Sequence, residues 1–151
     1  MKINYSKILR DNLINVFRDV LKNIKNNSLK EGHHLYITFK TNSKDVIIPN
    51  WLKEKFPHDM TIVIQYEYWN FRISKNYFEI TLSFNDIKSN LKIPYNSVIS
   101  FADPYANFGL KLINYKSNNK ISKTTSDKKS MNKINHTKKN NVIEFNKFKK
   151  N

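Results

Sequence analysis

The chain has 151 residues and no cysteine, so we expect one domain with an appendage and neither a disulfide framework nor a cysteine-based metal site. Its net charge is +15, and residues 114–151 carry 11 lysines against 2 acidic residues, which places most of the excess in that segment. No apolar run approaches the ~18 residues that span a bilayer, and the charged N-terminus lacks the apolar segment of a secretory signal. We therefore expect a cytoplasmic protein with no membrane partner.

The first predicted element is an amphipathic helix from about Tyr5 to about Lys25. Its apolar residues recur at intervals of three and four, with charged and amide side chains on the other face. This stripe consists of Leu9, Leu13, Val16, Phe17, Val20 and Ile24. The stripe fits packing on its own domain and packing on a second subunit equally well, and the sequence leaves both open.

After Gly32 the apolar residues recur with a period of 2, which predicts a mainly β fold behind the N-terminal α-helix. Residues 74–76 ("SKN") predict a hairpin, and "NDIKS" predicts the next turn. A helical turn or irregular link is predicted in "NWLKEKFP", and a short helical turn in "YNSVISFADP". The predicted strands are "HLYITFK", "DVIIP", "MTIVIQYEYW", "FRI", "YFEITLSF", "LKIP" and "ANFGLKLI". Their spacing of about ten residues is typical of a small, highly curved antiparallel β-barrel.

The C-terminal residues divide into two segments after a folded domain at residues 1–113. Residues 114–141 are poor in apolar side chains and rich in asparagine and lysine, which predicts a disordered linker. Residues 142–151 form a short apolar and basic tip, and such side chains at the end of a polar tail suit docking into a hydrophobic groove. The apolar residues of the tip are Val142, Ile143, Phe145 and Phe148.

No pattern in the chain predicts catalysis. The four histidines have no further ligand at a metal-motif spacing, and the acidic residues form no pair suited to acid–base chemistry. Only Gly32 and Gly109 are glycines, which excludes a glycine-rich phosphate loop. We therefore expect a protein that is not an enzyme and uses no cofactor and no metal.

Aromatic and amide side chains crowd together in "IQYEYWNF". Alternation along a strand would place Gln65, Glu67 and Trp69 on one face and the intervening residues on the other. Aromatic residues beside amides suit the binding of an extended peptide or the stacking of bases. They suit equally the covering of the ends of a small barrel, so the pattern alone leaves a binding face and a core role open.

Several blocks of the sequence resemble the ClpXP adaptor SspB, the stringent starvation protein B family. These blocks are "GHHLYITFKT", "MTIVIQYEYWNF", "FEITLSFN", "LKIPYNSVISFADPYANFGLKL" and the terminal "NVIEFNKFKK". The resemblance implies an N-terminal helix, a small Sm-like β-barrel and a homodimer. It also implies that a groove in the barrel binds ssrA-tagged polypeptides and that the C-terminal tip docks on the N-terminal domain of ClpX.

The resemblance directs attention to two sets of residues. On the two long central strands, we expect the peptide groove to be lined by Gln65, Tyr66, Trp69, Thr81, Ser83 and Phe84, with Phe101 near by. For the ClpX-docking tip, we expect contacts from Val142, Ile143, Phe145, Phe148 and Lys149.

The alternative is a small basic barrel that binds RNA through exposed aromatic residues. Most of the positive charge lies in the C-terminal segment, and the predicted strands show no repeat of aromatic and basic residues. Nucleic acid is therefore expected not to be a partner.

Overall fold

The computed structural model describes residues 1–27 and 33–112 of the chain. Within these ranges the helices are α1 (Tyr5–Asn27) and α2 (Asn50–Lys55), and 3₁₀ turns span Tyr95–Ser97 and Pro104–Ala106. The strands are β1 (Leu35–Lys40), β2 (Asp59–Ile64), β3 (Trp69–Ile73), β4 (Tyr77–Phe84), β5 (Ile87–Pro94), β6 (Val98–Asp103) and β7 (Phe108–Lys111). The predicted linker at 114–141 and the predicted tip at 142–151 lie outside the described residues.

Helix α1 confirms the predicted N-terminal amphipathic helix. Its start is capped by the Asn4 side-chain oxygen, which accepts a hydrogen bond of 3.0 Å from the backbone N–H of Lys7. Phe17 is fully buried, and its ring lies within 6.1 Å of the rings of Phe78, Tyr95 and Phe101. Helix α1 is therefore anchored at its middle in the core of its own domain.

The seven strands form two antiparallel sheets. The four-stranded sheet has the order β2-β1-β6-β7, and the three-stranded sheet has the order β3-β4-β5. In the second sheet the predicted hairpin is confirmed, and the turn between β4 and β5 contains Asn85 and Asp86 at φ values of 54° and 67°. Asparagine and aspartate tolerate this left-handed region better than most residues, which explains how a tight turn forms there without glycine.

The structure does not confirm the expected Sm-like barrel, because the two antiparallel sheets do not close on each other. Strands β2 and β3 are predicted to be nearly continuous, yet residues 65–68 leave the strand conformation between them. In the described residues, no ladder joins β2 to β3, so each of these strands is the edge of its own sheet. Asn70, at a φ of 49°, lies where the β3–β4 register shifts, which bends β3 further from an ideal ladder.

The predicted second strand, "DVIIP", is also wrong. In residues 45–49 the structure has only an isolated bridge, between Ile47 and Lys92. The buried side chains of Val46 and Ile48 account for the apolar pattern, because this segment packs its alternate residues inward without forming a ladder. Pro49 then precedes α2, which confirms the helical alternative predicted for "NWLKEKFP".

Both sheets and α1 contribute to one hydrophobic core. Its largest fully buried side chains come from the helix and from the inner faces of both sheets, among them Phe17, Phe39, Phe78, Phe101, Ile37, Ile62, Ile80 and Leu91. Because the core is shared, the two sheets are held close together although they are not paired. Their unpaired edges therefore border a gap at the surface.

Candidate functional site

The gap between the two sheets is a cleft of about 510 Å³. One wall comes from β2 and the segment that follows it, and the other comes from the last residues of β4. The residues that line this β2–β4 cleft are Thr61, Ile62, Val63, Gln65, Tyr66, Glu67, Leu82, Ser83 and Phe84. Its size fits a segment of an extended polypeptide.

Two open strand edges border the β2–β4 cleft. Among the described residues, only β1 pairs with β2, which is therefore the edge of the four-stranded sheet. On β4, the ladder with β3 ends at the pair Trp69–Thr81, so residues 82–84 extend beyond β3 with no ladder on that side. Unpaired backbone N–H and C=O groups on such edges can hydrogen-bond to an added strand.

The lining of the cleft is polar and aromatic but almost uncharged. Thr61, Gln65 and Ser83 supply hydroxyl and amide groups, and Glu67 is the one ionisable acid or base in the lining besides the Tyr66 phenol. The Thr61 hydroxyl already has a hydrogen-bond partner within the protein, because it lies 2.8 Å from the hydroxyl of Thr38 on β1. Such a lining suits neutral backbone and side-chain amides more than phosphate groups.

The residues predicted for the groove fall in three places. Gln65, Tyr66, Ser83 and Phe84 line the cleft together. Trp69 and Thr81 are paired beside the cleft on the β3–β4 ladder. Phe101 is only 2% exposed and lies in the core with its ring centroid 5.1 Å from that of Phe17, so its side chain is covered by α1.

The predicted alternation in "IQYEYWNF" does not continue through residues 65–68, where the chain is not a strand. Instead, Tyr66 is 66% exposed at the mouth of the cleft. Tyr68 turns the other way and lies edge-on to Phe71 at 5.5 Å, half-buried against the core. Tyr68 therefore covers the core, whereas Tyr66 is exposed at the cleft, where its binding role stays a prediction.

Thr81 is buried, although it lies on the outward face of β4. Its hydroxyl donates a hydrogen bond of 2.9 Å to the side-chain oxygen of Asn90 and accepts one of 3.3 Å from the Asn70 amide. These bonds join the three strands of the sheet across one row. Thr81 thus holds the wall beside the cleft in place.

Trp51 supports the cleft and was missed in the sequence. It lies on α2, and its ring is edge-on to that of Phe84 with 6.4 Å between the centroids. One signal for it is present in the sequence: the apolar pair Trp51–Leu52 begins two residues after Pro49, where a helix can begin. The prediction left a helical turn and an irregular link open here, because a single turn has too few residues to show a helical period.

No group of three or more histidine, cysteine, aspartate or glutamate side chains among residues 1–27 and 33–112 could hold a metal ion. Neither described helix is long and apolar enough to cross a membrane.

The model of the stringent starvation protein B family matches residues 7–147, nearly the whole chain. The chain belongs to the stringent starvation protein B (SspB) family. No curated protein matches it. Membership supports a protease-adaptor role.

Proposed function

We propose that this SspB-family protein is an adaptor that binds ssrA-tagged polypeptides and tethers them to the ClpX unfoldase for degradation by ClpXP in the cytoplasm. The observation that carries the proposal is the β2–β4 cleft, an almost uncharged, partly aromatic gap between two open strand edges. Family membership supplies the class of function, and the cleft supplies a place for the tag.

The tag binds in an extended conformation and forms main-chain hydrogen bonds with the open edge of β2. In this mode, backbone bonds supply affinity while alternate side chains enter pockets that supply specificity. Tyr66 and Phe84 offer apolar contacts, and Gln65 and Ser83 offer hydrogen bonds to a polar side chain of the tag. Trp69 and Thr81 stabilise the adjacent wall.

The adaptor acts by raising the local concentration of its cargo. Residues 114–141 serve as the tether, and Val142, Ile143, Phe145, Phe148 and Lys149 dock on the N-terminal domain of ClpX. A tethered substrate meets the unfoldase at a local concentration of roughly millimolar, so each contact can remain weak and reversible.

The protein functions as a homodimer through the outer face of α1. Leu9 and Val16 are 41% and 40% exposed on this helix, which is unusual for a face that is otherwise polar. Farther along α1, Val20 and Ile24 line an apolar depression of about 340 Å³ together with Phe108. A second copy of the chain would cover both features.

A titration of the full-length protein with a fluorescent ssrA-type peptide tests the proposal. We expect saturable binding with a weak salt dependence, because the cleft is nearly uncharged. A single-stranded RNA oligonucleotide of similar size is the comparison, since binding to phosphates weakens steeply as salt rises. If the protein bound the RNA and did not bind the peptide, the adaptor function would be refuted and the RNA-binding alternative would be supported.

A further inference from the structure

The outward face of the three-stranded sheet carries cations and aromatic rings in adjacent positions. We name it the basic face, formed by Trp69, Arg72, Tyr77, Lys88 and Lys92. The β4–β5 register places Ser83 opposite Lys88 and Glu79 opposite Lys92. Alternate residues of β4 point inward and are buried in the core, so every side chain of the basic face points away from it.

Two lysines on the basic face are held over aromatic rings. The Lys88 ammonium lies 4.1 Å from the centre of the Trp69 ring, and the Lys92 ammonium lies 4.3 Å from that of Tyr77. These cation–π contacts restrict long side chains that would otherwise move freely. They are also the aromatic and basic pairing that the sequence did not reveal, because the partners lie on different strands.

The basic face is positively charged overall. Glu79, which lies opposite Lys92 on this face, is already paired with Arg72 at 2.9 Å. Neither Lys88 nor Lys92 has a carboxylate partner in an ion pair among the described residues. The lysine-rich segment at residues 114–151 would be repelled by this face, so the chemistry calls for an acidic partner from another chain.

The basic face is continuous with the β2–β4 cleft. Ser83 lines the cleft and lies directly opposite Lys88 in the ladder. Neighbouring strands are about 4.8 Å apart and an extended chain advances about 3.3 Å per residue. A peptide that leaves the cleft past Ser83 therefore reaches the Lys88 ammonium within about two residues and Lys92 a few residues later.

We propose that Lys88 and Lys92 bind carboxylate side chains that flank the cleft-bound segment of a substrate polypeptide. The inference rests on the proposed function, and it gives the adaptor a preference for acidic residues next to the bound segment. Carboxylates are favoured over RNA phosphates because a lysine already lies over each of the two rings of this face, Trp69 and Tyr77, on which a base would stack.

Three extensions of a fluorescent ssrA-type peptide test the preference with the full-length protein: three glutamates, three glutamines or three lysines. Each extension is placed at the N-terminal end in one peptide and at the C-terminal end in another. We expect the glutamate extension at one end to bind about three- to tenfold tighter than glutamine at low salt, since each exposed pair contributes fivefold or less. Raising the salt to about 0.5 M should remove the difference by screening.

A double variant, Lys88→Glu with Lys92→Glu, should reverse the preference, so that the lysine extension binds more tightly than the glutamate extension. Its affinity for the glutamine-extended peptide should stay within about twofold of that of the wild type. The matched control is Lys22→Glu with Lys111→Glu, which changes the net charge equally at two exposed positions away from the basic face. The control should retain the preference for glutamate.

Equal binding of the glutamate and glutamine peptides at both ends would overturn the inference and leave the proposed function standing. Failure of all these peptides to bind would overturn the proposed function and the inference together. Salt-sensitive binding of single-stranded RNA that is lost only in the Lys88 and Lys92 variant would instead assign the basic face to nucleic acid.

Discussion

The ring of Trp51 on α2 packs edge-on against Phe84 at the end of β4, with 6.4 Å between their centroids. This contact joins the short helix to the strand end that forms one wall of the β2–β4 cleft. Phe84 is half-buried, so it contributes both to that wall and to the rim of the core. The shape of the cleft thus depends on an element that forms no part of either sheet.

Replacing Tyr66 with alanine tests the cleft without disturbing this support. Tyr66 is 66% exposed and lies outside the core cluster, so the free energy of unfolding should change little. We expect binding of the ssrA-type peptide to weaken by about 1–3 kcal/mol, the range of an aromatic contact at an interface. Fluorescence anisotropy measures this loss. Tyr105→Ala, equally exposed but away from the cleft, is the control.

Trp69→Ala tests whether the wall beside the cleft contributes to tag binding. Because Trp69 lies next to Thr81 on the ladder, we expect tag binding to weaken by one to a few kcal/mol while the domain remains folded. Circular dichroism and anisotropy are measured on the same samples. Loss of binding only together with the β-type signal would show that the indole serves the fold and not the site.

The order of helix and strands was predictable in part, because local patterns determine most of it. Strand β6 (Val98–Asp103) was missed, since only a short helical turn was predicted in "YNSVISFADP". Helix α1 shows a 3.6-residue period over six turns, and the hairpin at residues 74–76 is flanked by strands with clear alternation. The Sm-like barrel was not confirmed, for a reason that is not local. Tyr66 and Tyr68 have high β-propensity, yet strand pairing depends on the neighbouring segments that the chain meets, and here β2 and β3 belong to different sheets.

Part of the cleft lining was predictable, whereas the role of these residues in binding a peptide stays a prediction. Gln65, Tyr66, Ser83 and Phe84 were expected at a groove and do line the cleft together, whereas Phe101 lies beneath α1 in the core. An isolated strand pattern cannot show which face a helix covers. The contacts of Lys88 with Trp69 and of Trp51 with Phe84 depend on strand register and on packing between elements. Neither produces a recognisable spacing of residues in the sequence.

Charging the exposed stripe of α1 tests the proposed homodimer. Val16 is 40% exposed, and burying an aspartate at a subunit interface is costly. Val16→Asp should shift the protein from dimer to monomer in sedimentation at tens of micromolar, or unfold it. Lys22→Gln, which changes the charge by the same amount on the polar side of α1, should remain dimeric. A wild-type monomer at these concentrations would contradict the dimer.

The buried phenol of Tyr95 should make the fold sensitive to alkaline pH. Burial raises the pKa of Tyr95 above its ordinary value of 10.0, and the nearby Arg18 lowers it by a smaller amount. Above pH 10 the unfolded chain releases this proton more readily than the folded chain, so the free energy of unfolding should fall as pH rises. Denaturant unfolding between pH 8 and 11 measures the fall.

The matched variant for this effect is Tyr95→Phe. It removes the ionisable group and also the hydrogen bond of 2.6 Å that the phenol donates to the carbonyl oxygen of Ser74. The variant should be about 1 kcal/mol less stable at neutral pH but should lose less stability than wild type above pH 10. Parallel pH profiles for the two proteins would show that Tyr95 is not the source of the alkaline loss.

Deleting residues 142–151 tests the proposed docking tip apart from the cleft. The deletion removes the apolar and basic residues Val142, Ile143, Phe145, Phe148 and Lys149 and leaves every residue of the cleft in place. We expect ssrA-peptide affinity and dimerisation to be unchanged. Stimulation of ClpXP degradation at low substrate concentration should be abolished, because the bound substrate is no longer held near the unfoldase.

A shortened tether is the control for this deletion. Removing part of residues 117–139 while retaining the tip should reduce delivery only modestly, since effective concentration changes slowly with linker length once the span can be reached. Degradation of a tagged reporter measured across substrate concentrations distinguishes the two variants. Undiminished delivery by the protein without residues 142–151 would refute the docking role, and the apolar side chains at the end of a lysine-rich segment would then require another explanation.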